Sequence, residues 1–355
     1  MSLGREPLII GHRGASGYRP EHTSGAYRLA FRVGADAVEP DIVATRDGVL
    51  VLRHENELSS TTDIAQHAEF AARRTTKAID GHQVSGWFTE DFTWAELSTL
   101  RARERLTELR STSATFDGFY PLMRLADLFA LVDDESERSS VRLTMVAEIK
   151  HATYFESIGL PLHELLMAEI VAAGWQDRHD LVVESFERTV LTRLGERGFT
   201  GERVYLMESG GVPADRLALD GSTAQGYDAE LTLTGLYSLS ARGDPIAGLD
   251  GISVDTGLVL RSGSVAVELF AEDTFDAEIG TVTSDLVDLA HSVGLRTYCW
   301  TLRPENVFLP ELYRNAGRDD QWGNWRQLYT ILLRSGVDGV FADHPDLAVD
   351  MREAT

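Results

Sequence analysis

The sequence predicts an eight-stranded parallel α/β barrel, a (β/α)8 or TIM barrel carrying an inserted segment after its second strand. Three observations support this. Short β-rich runs alternate with longer helical ones along most of the chain, the pattern of βα units around a parallel sheet. The 355 residues suit one large barrel or two ordinary domains. Nine candidate strands reduce to eight once one of them is recognised as the return arm of a hairpin.

The candidate strands are Leu8–His12, Ala37–Val43, Val49–His54, Leu143–Ile149, Leu181–Ser185, Val204–Met207, Ile252–Asp255, Arg296–Thr301 and Gly339–Asp343. Between them, Ser24–Val33 reads as a helix because Ala26, Leu29, Ala30 and Val33 recur at i, i+3, i+4 and i+7. Leu162–Ala173, Arg188–Arg197, Ser284–Val293 and Trp325–Ser335 read the same way. Val43 and Val49 are too close for a parallel crossover, and Asp47-Gly48 between them is a turn signal. Val49–His54 is therefore expected to return antiparallel on the second strand. Counting from a turn at Thr45–Gly48 sets Val43 opposite Leu50, Asp41 opposite Leu52 and Glu39 opposite His54. Side chains 39 and 41 share one strand face.

Glu55–Ser140 is roughly 85 residues long where a barrel helix and its loops take about 30. We read residues 1–355 as a single barrel domain with an insertion at about 55–140, a lid or small subdomain. Trp87, Phe88, Phe92, Trp94, Phe116, Phe119 and Tyr120 supply apolar material for it. A second long stretch, about Glu208–Leu249, reads as partly loop.

Composition removes whole classes of function. Hydrophobic residues make up 43% and charged residues 25%, which suits a soluble protein with a sizeable core and excludes a disordered chain. No apolar run reaches the ~18–20 residues of a membrane helix, so no integral membrane association is expected. With 33 Lys+Arg against 56 Asp+Glu the net charge is −23, which disfavours nucleic acid as a partner. The single cysteine, Cys299, excludes an intramolecular disulfide and a cysteine zinc cluster. No signal peptide stands before Leu8, which fits the cytoplasm; removal of a leader would instead place the protein outside it.

Barrel enzymes carry their sites at the C-terminal strand ends. There the sequence places His12 and Arg13, Glu39 and Asp41, His54, Glu148 and Lys150, Glu184, Trp300 and Asp343. Each acid alone reads as a solvated surface group. Three on apolar strands do not ionise comfortably together without a cation, and an all-oxygen set selects Ca²⁺ or Mg²⁺ over zinc. Glu39, Asp41 and Glu148 are thus candidate metal ligands. His12 and His54, each an ordinary structural residue if alone, together supply a general base and a general acid. Arg13 has the fork to hold a phosphate or a carboxylate. Trp300 either lines a ligand pocket or belongs to the core. Gly11, Gly14 and Gly17 lack the spacing of a nucleotide-binding loop and read as tight-turn residues.

The run from His12 to Thr23, HRGASGYRPEHT, resembles the opening motif of the glycerophosphodiester phosphodiesterases. Glu39-Pro40-Asp41 matches that family's Glu-x-Asp. Thr45–Thr62, Glu148-Ile149-Lys150, Ser185-Phe186, Trp300-Thr301 and Asp338–Phe341 with Asp343 continue the likeness in order, so that it spans residues 8 to 346. Glu55, Glu187 and Ala342 depart from the usual residues. The resemblance implies metal-dependent hydrolysis of small glycerophosphodiesters, such as glycerophosphocholine and glycerophosphoethanolamine, to sn-glycerol 3-phosphate and an alcohol. By the same likeness His12 and His54 are the acid–base pair, Glu39, Asp41 and Glu148 the metal ligands, and Arg13 and Lys150 the phosphate-side cations. Three other readings stand beside it. A lysophospholipase D or sphingomyelinase-D-like enzyme would need an apolar lid, whereas residues 55–140 are rich in charge. A non-catalytic phosphodiester-binding barrel would have lost one of the two histidines or three acids. A sugar-processing barrel with paired acids would have no use for the two histidines.

Overall fold

The computed structural model describes residues 6–243, 248–262, 275–276 and 281–354. The described residues contain fifteen strands: β1 (Leu8–His12), β2 (Ala37–Glu39), β3 (Asp41–Ala44), β4 (Leu50–Leu52), β5 (Thr75–Ile79), β6 (His82–Gly86), β7 (Thr144–Ile149), β8 (Leu181–Ser185), β9 (Glu202–Met207), β10 (Gly251–Asp255), β11 (Leu260–Ser262), β12 (Phe275–Asp276), β13 (Thr281–Thr283), β14 (Arg296–Leu302) and β15 (Gly339–Ala342). Eight of them pair in parallel in the order β1, β2, β7, β8, β9, β10, β14, β15, and β15 pairs back onto β1. The barrel is closed and its strands follow chain order. Ile10, Ala37, Val146, Val182, Val204, Tyr298 and Phe341 fill one buried cluster. A larger apolar layer lies between the strands and the surrounding helices.

The first βα unit shows how the sequence builds this. Thr23 caps the helix Ser24–Arg32 by accepting a hydrogen bond from Ala26 N, and Ala26, Tyr27 and Ala30 face inward. Small residues let the helix approach β1 closely: a Cβ at Gly11 would sit 2.8 Å from the Ala30 Cβ. Gly14 has φ +83°, and a Cβ at Gly17 would stand 2.2 Å from the His344 ring. These glycines serve turning and packing.

Two local expectations are corrected. The run Ala37–Val43 is not one strand, because Pro40 lacks an N–H and breaks the ladder. β2 pairs with β1 and the start of β7, whereas β3 pairs with the end of β7 and with β4. The hairpin register is also offset by one: Ile42 faces Leu52, Val43 faces Val51 and Ala44 faces Leu50. Thr45 N donates to Val49 O and Gly48 takes φ +76°, so the loop is Arg46-Asp47-Gly48 with a left-handed glycine at its end. Glu39 consequently lies in the barrel wall rather than opposite His54.

After β4 the chain forms short helices, the β5–β6 hairpin and an apolar core of its own from Leu58, Ile64, Phe70, Trp87, Phe92, Leu97, Leu100, Ala102 and Leu122. Phe116, Phe119 and Tyr120 do not join it. They stack on one another at the surface, and Phe119 is 72% exposed. The helix Leu125–Ser139 packs on the helix Ser24–Arg32 and on β4, in the position of a barrel helix. Among its described residues the Glu208–Leu249 stretch carries two α-helices, Ala214–Asp220 and Leu233–Leu239, and two short 3-10 turns between them. Among the described residues no helix is long and apolar enough to cross a membrane.

Candidate active site

Strand register brings the predicted residues together at the C-terminal mouth of the barrel. His12 lies beside Glu39 across β1 and β2, Asp41 beside Glu148 across β3 and β7, and Glu148 beside Glu184 across β7 and β8. One oxygen from each of Glu39, Asp41 and Glu148 falls within 4.8 Å of the others. All three side chains are buried. His12, Arg13, Glu39, His54, Glu148, Lys150 and Trp300 line one cavity of about 450 Å³.

Two cations already stand among the acids. Lys150 Nζ is 2.6 Å from Glu148 and 3.1 Å from Asp41, and Arg13 Nε is 3.1 Å from Asp41. Arg13 also donates to Glu21 at 3.1 Å and its backbone N–H to Glu39 Oε2 at 2.9 Å. Arg13 thus holds carboxylates here, with its backbone at φ +60° in the left-handed region. The set fits a hard divalent ion. It offers only carboxylate oxygens, and Glu39 Oε1 is buried without a hydrogen-bond partner.

The electrostatics agree with a group waiting for charge. Burial and the neighbouring Asp41 push the Glu39 carboxyl well above its usual range. Burial would also raise Asp41, but Lys150, His54 and Arg13 hold it well below. Glu148 is pushed up to about 8, burial outweighing the attraction of Lys150. Glu184, buried beside Glu148, rises for the same reasons.

Each imidazole is oriented by its own carboxylate. His12 Nδ1 lies 2.6 Å from Asp343 Oδ1, whose other oxygen accepts from Arg110 Nη2 at 2.6 Å and Arg303 Nε at 2.7 Å. His54 Nδ1 lies 2.5 Å from Glu55 Oε1, and Arg105 donates to both Glu55 oxygens at 2.8 and 2.7 Å. Nδ1 engagement leaves Nε2 of each ring as the free atom. Burial and then Arg13 depress both imidazoles, His12 to about 4 and His54 to about 3. Burial thus favours the neutral form of both rings.

Sequence reasoning missed the supporting residues. His22 is buried with Nε2 2.9 Å from Asp41 Oδ2 and Nδ1 2.8 Å from the Tyr27 hydroxyl. Arg105, Arg110 and Arg303 carried no motif. Only their place in an acidic chain with few cations set them apart. Glu55, read as a departure from a pattern, occupies a position where a carboxylate can reach His54. Trp300 lines the cavity and meets the Phe186 ring edge to face at 5.7 Å between centroids.

Comparison with known proteins fits this geometry. The model of the glycerophosphoryl diester phosphodiesterase family matches residues 12–240. The chain is 27% identical over 361 residues to glycerophosphodiester phosphodiesterase GDPD6 of Arabidopsis thaliana, covering 95% of this chain and 83% of that protein. A crystal structure of a glycerophosphodiester phosphodiesterase from Agrobacterium tumefaciens has the same fold, with TM-score 0.55 and 18% identity over 97% of this chain and 99% of the other. So does an Oleispira antarctica phosphodiesterase in complex with the product sn-glycerol-3-phosphate, with TM-score 0.59 and 17% identity over 98% and 97% of the two chains. The family model covers well over half of the sequence, and the chain therefore belongs to the glycerophosphoryl diester phosphodiesterase family, as a phosphodiester hydrolase acting on glycerophosphodiesters.

Proposed function

We propose that the protein hydrolyses small glycerophosphodiesters, glycerophosphocholine and glycerophosphoethanolamine among them, to sn-glycerol 3-phosphate and an alcohol, using one divalent cation, Mg²⁺ or Ca²⁺. The observation that carries this reading is the convergence of Glu39, Asp41 and Glu148 within 4.8 Å, with Glu39 and Glu148 lining a cavity that His12 and His54 also line. The product seen in the Oleispira antarctica phosphodiesterase is the one this reading requires.

Glu39, Asp41 and Glu148 would hold the cation, which when bound neutralises phosphate charge as a Lewis acid. Arg13 and Lys150 add positive charge beside the same phosphate. Trp300, which lines the cavity, would pack against the carbon side of the glycerol. Of the two histidines, only His54 also borders the neighbouring cavity of about 400 Å³; His12 borders this cavity and a small cleft of about 20 Å³. His12 therefore takes the proton from the attacking glycerol hydroxyl. His54 gives its proton to the departing alkoxide as the P–O bond breaks, leaving a cyclic phosphate that water then opens. An anionic phosphodiester arriving beside Arg13 and Lys150 offsets the cations that depress His54 and pulls its affinity for a proton back up.

The test is release of glycerol 3-phosphate from glycerophosphocholine, with and without chelator, by the wild type and His12→Ala. Metal-dependent release that the substitution abolishes is expected. No release by a folded, metal-loaded protein would overturn the reading.

A further inference from the structure

The cavity of about 400 Å³ opens beside the first and shares His54, Glu148, Lys150, Phe186 and Glu208 with it. A phosphate held between the two histidines therefore extends one substituent into each. The walls differ in origin. The first cavity is lined mainly by barrel-strand ends. The outer wall of the second is built from connecting segments: Asp80 and His82 of the β5–β6 hairpin, His151 after β7, and Leu217 and Tyr227 after β9. His151 Nδ1 lies 2.5 Å from Asp80 Oδ2 and fastens the hairpin over the opening. The constant part of a substrate belongs with the strands and the variable part with the loops.

The charge of this wall is unbalanced. Lys150 is engaged by Asp41 and Glu148, His54 by Glu55 and His151 by Asp80, which leaves His82 as the remaining basic group of the lining. Glu187 is 3% exposed and accepts hydrogen bonds from the Thr153 backbone N–H, at 2.9 Å, and hydroxyl, both neutral donors. Glu208 lies at the exposed edge shared by both cavities. Neither makes an ion pair among the described residues. Burial, with Asp80 and Asp215 nearby, pushes Glu187 up to about 7. The Tyr227 ring stands edge to face with Phe186 at 6.4 Å, and its hydroxyl donates to Phe186 O at 3.0 Å. A buried carboxylate with no cation, next to aromatic rings and a reacting phosphate, is a setting that a small ammonium group completes.

We propose that this second cavity is the subsite of the leaving alcohol, in which Glu187, Glu208 and the Tyr227 ring select alcohols bearing an ammonium group over neutral polyols. The inference rests on the diesterase reading above and adds its substrate preference.

Glycerol 3-phosphate release is measured at pH 8 from glycerophosphocholine, glycerophosphoethanolamine, glycerophosphoglycerol and glycerophosphoinositol. The wild type is expected to favour the two ammonium diesters about tenfold in kcat/KM. That ratio should fall severalfold in Glu208→Gln, an exposed position with little bearing on folding, and further in Glu187→Gln. Choline chloride should inhibit the wild type more strongly than either variant. Equal turnover of all four diesters, or a preference that both variants retain, would overturn the subsite while leaving the diesterase intact. Release from none of the four would overturn the diesterase reading, and this inference with it.

Discussion

His12 ends a barrel strand with its side chain 12% exposed, whereas His54 stands beyond the β4 arm at 31%. Both rings are positioned alike, through Nδ1 on a carboxylate that arginine holds in place. For His12 the carboxylate is Asp343, 2% exposed and clamped by two arginines, and Arg110 is itself 5% exposed. For His54 it is Glu55, 33% exposed and held by Arg105, which also grips Glu21 through two contacts of 2.7 and 2.8 Å. The same device thus stands on a rigid foundation on one side and a wetter one on the other. Buried charge is costly to leave unpaired, while exposed charge is screened. The strand-borne half should therefore be fixed, and the half built with the insertion should tolerate change.

Removing what both halves share should have the largest effect. Chelation, or Glu148→Gln, is expected to lower kcat/KM by about 10³-fold or more, with Mg²⁺ or Ca²⁺ restoring the chelated wild type but not the variant. Retention of full activity in chelator would remove the metal from the comparison altogether. Next, on the proposed acid–base roles, His12→Ala and His54→Ala should each cost about 10²–10⁴-fold in kcat.

The positioning carboxylates separate the halves. Asp343→Asn should cost about 10²-fold in kcat and lower Tm, because it leaves Arg303 without its counter-charge and Arg110 with Glu305 alone. Glu55→Gln should cost only about tenfold and barely move Tm. Equal losses in rate and Tm for the two would break the distinction drawn here.

The smallest effect is on stability and depends on pH. Glu187 is raised in the fold from 4.5 to about 7, so between these values the native state binds more proton than the unfolded chain. Its contribution therefore becomes less favourable as pH rises through that window. Glu187→Gln should stabilise the protein by about 1–3 kcal/mol at pH 8 and change little at pH 4, read as denaturation midpoints. A variant equally stable relative to wild type at both pH values would show that the carboxyl is not strained.

Most of the barrel and the candidate site residues were readable from the chain because both depend on short-range rules. Apolar alternation marks a strand, the polar residue at its end marks the mouth of a barrel, and β8, Leu181–Ser185, was located to the residue. The Glu39, Asp41 and Glu148 triad followed from the same rule, and it survived the break at Pro40 and the shifted hairpin. Other features depend on chain closure. Arg110 meets Asp343 across 233 positions and Arg105 meets Glu21 across 84, and no local spacing encodes such pairs. His22 could be placed beside Asp41 only once the β1 loop folded back over the barrel. Likewise the surface cluster of Phe116, Phe119 and Tyr120 and the buried one around Phe92 are both built on apolar side chains of the insertion. Their different fates were set by which faces the insertion had left to cover. Hydrophobicity says that a ring will be buried where it can be, and the geometry of the closed barrel decides where there is room.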